Sequence, residues 1–177
     1  MRADEWRIYE ICKKKVQLSF SYFRVSMAVK VRKALKKDLP SVLILIKELA
    51  AYEKASKEVS ITLKELERDG FGKGKVYDCF VAVTGNTIVG MALYYTKYST
   101  WKGRCIYLDD IIVTKSMRRK GIGKKLFEAV ISTAKKTKAR KLEWLVLDWN
   151  KPAISFYKKY RTAFEREWIN CKLVFEK

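Results

Sequence analysis

The sequence predicts a mixed α/β fold of the α+β kind, one mixed sheet with helices packed on it. Three observations carry that prediction. YDCFVAV and IVGMALYYTKY flank the short turn TGNT, which is the pattern of a β-hairpin. CIYLDDIIV, an almost unbroken apolar run, leads through a basic turn into a helix-period segment reaching about Lys138. Helical patterns also precede the hairpin and follow the next apolar run, so strands and helices alternate.

The elements follow in order. Residues 1–27 stand apart: CKKKVQLSFSYFRVS has neither a helical period nor clean alternation. They are expected to be a basic leader, poorly ordered or loosely docked, or the product of a start codon placed upstream of Met27. One domain is expected over residues 28–177. AVKVRKA alternates and suggests a first strand. Asp38 is placed to cap, and Pro40 to open, the apolar-faced helix SVLILIKELAAYE. Thr62 and Glu65 have capping-box spacing for a short helix that DGFGKG ends. The hairpin follows, then the turn TWKGR, then CIYLDDIIV. After the basic turn and its helix, KLEWLVLDW is expected to be a strand and NKPAISFYKKY a helix capped by Asn150. EREWINCKLVFEK is expected to supply one or two strands.

Composition removes several kinds of chemistry. The chain has 177 residues, 49% of them apolar, enough for one packed domain. No apolar run is long enough to span a membrane and MRADEWRIYEICKKK is not a signal peptide, so a cytoplasmic protein is expected. There is no histidine, and the four cysteines, Cys12, Cys79, Cys105 and Cys171, are widely spaced. That pattern argues against a metal site and excludes Ser-His and Cys-His nucleophiles. Acid–base work falls to Tyr, Asp, Glu, Lys or Cys. The net charge of +20 suits a polyanionic partner, but no nucleic-acid-binding motif accompanies it. Nucleic acid is therefore not the expected partner, and a soluble lysine-rich surface accounts for the charge equally well.

The basic turn is the most informative stretch. Gly121 and Gly123 stand between a strand and a helix, beside Arg118, Arg119, Lys120, Lys124 and Lys125. A helix N-terminus offers free N–H groups and partial positive charge, and glycine lets an anion approach closely. A P-loop would need glycine at 118 and a dinucleotide fingerprint would need it at 126; the residues there are Arg118 and Leu126. What remains is Arg118-x-x-Gly121-x-Gly123, which by itself fits a phosphate cradle or a solvated charged turn. Asp109 and Asp110 are two acids in an apolar strand. Strand alternation points them to opposite faces, so only one need address a given pocket.

Arg118-x-x-Gly121-x-Gly123 after YLDDIIV resembles the acetyl-CoA pyrophosphate loop of the GCN5-related N-acetyltransferase (GNAT) family. LDWNKPAISFYKKY resembles that family's next strand and helix. IKELAAYE, DGFG, YSTWKGRCIYLDDIIV and LDWN resemble its diamine acetyltransferase branch, which holds the spermidine/spermine N1-acetyltransferases and the thialysine N-epsilon-acetyltransferases. The similarity covers about residues 28–177. It implies a twisted, mostly antiparallel mixed sheet with helices on both faces and a splayed pair of central strands that admits acetyl-CoA. It implies that the backbone of Ile111, Ile112 and Val113 pairs with the pantetheine arm. Arg118, Arg119, Lys120, Gly121, Ile122, Gly123 and Lys124 would hold the pyrophosphate, and Asn150 would also contact the cofactor. Tyr157 matches the tyrosine that protonates the departing thiolate. Asp109 stands where the family usually has Glu, as a water-linked base, and Glu53, Trp101 and Asp110 match substrate contacts. No metal is implied, and a homodimer is.

The resemblance implies transfer of acetyl to the primary amine of a small diamine, polyamine or thialysine-like amino acid. A protein lysine or N-terminus is the alternative acceptor, and a basic nucleic-acid-binding module the alternative of another class. Acids that follow YE in polyamine enzymes are replaced here by KASKE, and another is replaced by Ser99. Arg161 and Thr162 replace a usual Gly-Ala. Glu167 and Trp168 match a family Glu/Trp pair near the substrate.

Overall fold

The computed structural model of the chain describes residues 28–175; the expected leader lies outside the described residues. The chain forms two compact units, one ending at Glu143 and one beginning at Trp144.

The first unit is built on a five-stranded sheet in the order β1-β2-β3-β4-β5. The strands are β1 (Lys30–Lys33), β2 (Asp78–Thr84), β3 (Thr87–Ser99), β4 (Gly103–Val113) and β5 (Leu142–Glu143). The first four pair antiparallel and β5 joins β4 in parallel. The hairpin turns at Gly85 and Asn86, with Thr84 opposite Thr87 and Gly85 at a positive φ of 56°. The helices are α1 (Leu39–Tyr52), α2 (Leu63–Phe71) and α3 (Ile122–Lys136).

The sheet separates its side chains cleanly. Val81, Met91, Leu93 and Ile112 join Leu39, Val42 and Leu45 of α1 and Leu66 of α2 in one buried cluster. Alternation sends Phe80 and Tyr94 to the other face, where their rings stack 5.4 Å apart. From α3, Ile122, Leu126, Phe127 and Val130 are fully buried. Each such side chain contributes roughly 1.5–3 kcal/mol relative to exposure.

The capping box of α2 forms as expected: Thr62 Oγ1 accepts from the Glu65 amide at 3.2 Å, and the Thr62 amide donates to Glu65 Oε2 at 2.9 Å. Asp38 departs from expectation. It precedes α1, and Pro40 lies in the first turn, but the Asp38 side chain makes no capping bond to α1. It turns back to accept from the Leu35 amide at 2.7 Å and to pair with the Arg32 guanidinium. The competing partner is a charge, and a charge-assisted pair outweighs a neutral cap.

In the second unit α4 (Lys151–Lys158) follows Asn150, whose Oδ1 accepts from the Ala153 amide at 3.2 Å as expected. The strand expected over 141–149 contracts to Leu142–Glu143, and residues 165–175 form no strand. Leu145, Leu147 and Trp149 keep the apolar pattern but are exposed, as are Ile169, Leu173 and Phe175. A strand exists only through its ladder, and within 141–149 the ladder with β4 covers Leu142 and Glu143.

Candidate active site

The two acids of β4 do not obey simple alternation. Leu93 pairs with Asp110 and the next residue, Tyr94, pairs with Leu108, so Asp109 is the extra residue of a β-bulge. Tyr107 pairs with Tyr95, and Asp110 with Leu93, both on the α1 side of the sheet. The inserted residue lets both acids address that side, against the expectation of opposite faces. Glu53, the residue after α1, joins them. Burial raises the Asp110 carboxyl to about 6, with the charges of Asp109 and Glu53 adding to the effect. Loss of hydration also raises Asp109 and Glu53. The three form a set in which every carboxylate is easier to protonate than in water. Among the described residues no group of three or more acidic, Cys or His side chains is arranged to hold a metal ion. A cation with its own protons, such as an ammonium, suits such a set.

The glycine turn takes the shape that an anion site needs. Arg119 and Gly121 are both left-handed, at φ 64° and 76°, and α3 begins at Ile122 with no side-chain cap. The first amides of a helix have no carbonyl within the helix to bond, so those of Ile122, Gly123 and Lys124 point outward. A Cβ at Gly121 would meet nothing within 4 Å, and one at Gly123 only Val113 Cγ2 at 3.9 Å. Packing of the protein therefore does not demand glycine at 123, although glycine weakens a helix by about 1 kcal/mol. Close approach by a ligand is the physical reason that remains, and a phosphate fits it.

Not all of the basic side chains face that space. The Arg118 guanidinium turns inward, where Nε donates to the Val113 carbonyl at 2.8 Å and the group sits 4.9 Å from the centre of the Tyr52 ring. Lys124 pairs with Glu128 at 3.7 Å, and Lys125 donates to the Val29 carbonyl at 3.2 Å. Glu48 of α1 was not singled out by the sequence. Its Oε2 accepts from Thr114 Oγ1 at 2.8 Å and its Oε1 from the Lys115 amide at 2.9 Å. The available signal was that Glu48 and Tyr52 lie four apart and share a helix face.

Between the acids and the turn runs the open edge of β4. Its ladder with β5 has two pairs, Ile106 with Leu142 and Tyr107 with Glu143. From Leu108 to Val113 no strand pairs with β4 on that side among the described residues. Ile111, Ile112 and Val113 lie in this stretch, where an extended amide-bearing ligand could add to the edge. One fold unit thus carries Glu53, Asp109, Asp110, the open edge and the glycine turn. Trp101 does not join them: it is 81% exposed at the β3–β4 turn. The length of β4 from Gly103 to Asp110 sets it roughly 20 Å along the strand from the acids.

Tyr157 belongs to the second unit and is buried there. Its ring centre lies 4.8 Å from that of Trp144 and 5.2 Å from that of Phe156. Its carbonyl accepts from Thr162 Oγ1 at 2.9 Å.

Comparison with known proteins shows the family and the fold. The model of the Acetyltransferase (GNAT) family matches residues 45–161. The chain is 44% identical over 138 residues to thialysine N-epsilon-acetyltransferase of Bos taurus, covering 73% of this chain and 81% of the relative. It is 32% identical over 117 residues to L-ornithine N5-acetyltransferase of Arabidopsis thaliana, covering 66% of this chain and 48% of the relative. Among solved structures, an aminoglycoside acetyltransferase from an uncultured soil metagenomic sample superposes with a TM-score of 0.69 at 20% identity. That match covers 84% of this chain and 97% of the other, and shows the shared fold.

Proposed function

Because the chain belongs to the acetyltransferase (GNAT) family and is an N-acetyltransferase, we propose that it moves the acetyl group of acetyl-CoA to the primary amine of a small diamine, polyamine or thialysine-like amino acid. The observation that carries this reading is the gathering of Glu53, Asp109 and Asp110 on one side of an open strand edge that leads to the glycine turn. The curated relatives act on thialysine and ornithine by name, which supports an acceptor with a flexible amine.

Acetyl-CoA, when bound, supplies the activated thioester carbonyl. The amides of Ile122, Gly123 and Lys124 bind its phosphates, and the edge from Ile111 to Val113 receives the amide-bearing arm. Asp110 and Glu53 hold the ammonium of the acceptor. An alkylammonium has a pKa of about 10.4 and must lose a proton before its nitrogen can attack. Asp109, in the stretch of β4 beyond its ladder with β5, accepts that proton through water. Raising these carboxyls narrows the gap to the amine and makes them better bases. As nitrogen bonds to the acyl carbon the C–S bond breaks, and Tyr157 donates its phenolic proton to the departing sulfur. The Tyr157 role and a homodimeric state rest on the family resemblance, and a cytoplasmic location on the residue pattern of the sequence. Among the described residues no helix is long and apolar enough to cross a membrane.

The test is thiol release from acetyl-CoA against spermidine, putrescine, thialysine, lysine, glycine and a short lysine peptide. Turnover with the free diamines or amino acids supports the reading. Turnover with the peptide alone moves the acceptor to protein. Tyr157→Phe should lower kcat with little loss of acetyl-CoA affinity, and full activity would remove the acid role. Sedimentation as a monomer at micromolar concentration would remove the homodimer.

A further inference from the structure

The glycine turn cannot hold its own shape. Arg119 is a non-glycine residue at φ 64°, a conformation strained for an L-residue, so its surroundings must impose it. The segment entering the turn is anchored from a helix far away in sequence. Both oxygens of Glu48 are committed to that segment: Oε2 to the Thr114 hydroxyl at 2.8 Å, and Oε1 to the Lys115 amide at 2.9 Å. Arg118 Nη2 lies 3.9 Å from Oε1, while Arg118 Nε fastens the Val113 carbonyl and its guanidinium rests on Tyr52. The end of β4, the bend after it and the motif arginine are thereby tied to two residues one helical turn apart on α1.

We propose that Glu48 is a positioning residue for acetyl-CoA: it fixes residues 114–118 so that the first amides of α3 meet the phosphates. The proposal rests on the reading that acetyl-CoA binds this turn. Its sign separates it from simple electrostatics. A carboxylate near a polyanion repels it, so charge alone predicts that removing Glu48 tightens binding. Positioning predicts the reverse, because a small displacement of pre-aligned donors costs more than the repulsion it relieves.

The test is calorimetric titration of CoA into the full chain, with steady-state kinetics for both substrates. Glu48→Gln keeps the shape but removes the charge beside Arg118 and turns an NH2 group to the Thr114 hydroxyl, which must then accept, and should raise the CoA Kd and the acetyl-CoA KM roughly tenfold. The acceptor KM and the melting temperature should stay close to wild type. Thr114→Val removes one of the anchors and should shift CoA affinity the same way by a smaller factor. Unchanged or tighter CoA binding by Glu48→Gln would overturn the proposal. So would a joint rise in both KM values with a lowered melting temperature, which marks a merely structural role. If Glu48→Gln does not fold, Thr114→Val decides by the same criterion. Wild-type protein that fails to bind CoA would remove the cofactor reading, and this proposal with it; wild-type binding with unaffected variants would remove this proposal alone.

Discussion

Asp110 lies opposite Leu93 in the β3–β4 ladder, while Asp109, one residue earlier, lies opposite nothing. That bulge makes two consecutive acids neighbours on one side of a sheet, where regular alternation would have separated them. Glu53 from the end of α1 adds a third acid, and the mutual repulsion has consequences for stability, pH dependence and binding.

Asp110→Asn should stabilise the fold at neutral pH. The folded Asp110 carboxyl titrates at about 6, above its unfolded value of about 3.9. Between those values the folded state holds more protons, so stability falls as pH rises through the window and the cost is complete above it. Removing the charge should recover on the order of 2–3 kcal/mol at most at about pH 7.5, less as Asp109 and Glu53 relax. Thermal melts from about pH 4 to 7.5 check this. A gap between variant and wild type that is constant with pH would contradict it.

Asp109→Asn should lower kcat/KM at neutral pH by roughly 10²–10³-fold, the usual worth of a general base. The wild-type acid limb should lie above the ordinary carboxylate range, because loss of hydration raises the Asp109 carboxyl. An acid limb near 4 would show that these groups behave as ordinary surface acids.

Glycines 121 and 123 should part company in stability while agreeing in binding. Gly123→Ala meets no protein atom nearer than 3.9 Å in an ordinary helical conformation, so it should stabilise α3 by up to about 1 kcal/mol. Gly121→Ala is forced to φ 76° and should cost roughly 1–2 kcal/mol. Both should weaken CoA binding, by calorimetry. Undiminished affinity in Gly123→Ala would mean that no ligand approaches there.

Asp38→Ala should be among the more damaging changes outside the site. The Asp38 side chain is 6% exposed, and its loss strands the Arg32 guanidinium and the Leu35 amide. Arg32 retains some water, so the expected loss is about 2–4 kcal/mol in urea unfolding at neutral pH. Arg32 hydrogen bonding holds the Asp38 carboxyl below its ordinary value, so this contribution is present above about pH 3.9 and fades as pH falls through the lower folded value. A loss under about 1 kcal/mol would mean that water replaces the pair.

The two kinds of residue reading differ in how local their physics is. Thr62 with Glu65, Asn150 with Ala153, and the Gly85–Asn86 turn are settled within a few residues, and each forms as its spacing indicates. The backbone of the glycine turn was legible for the same reason, since a strand end, two glycines and a helix start are contiguous. Asp38 misled because its real partner, Arg32, lies on the preceding strand and outbids a neutral amide. The strand expected over 141–149 misled because an apolar alternation states a capacity to pair, and the ladder with β4 reaches no further than Leu142 and Glu143 among the described residues.

The sequence by itself determined the sheet-and-helix order, the carboxylates available to a chemistry without histidine, and the turn suited to phosphate, because each depends on residue type and short spacing. Only the tertiary structure decided that Asp109 and Asp110 face the same way, that Arg118 turns inward, and that Glu48 anchors the turn. A bulge is a mismatch in length between two paired strands, and a contact between residues 48 and 114 exists only once α1 has packed on the sheet. Neither is written in any local pattern.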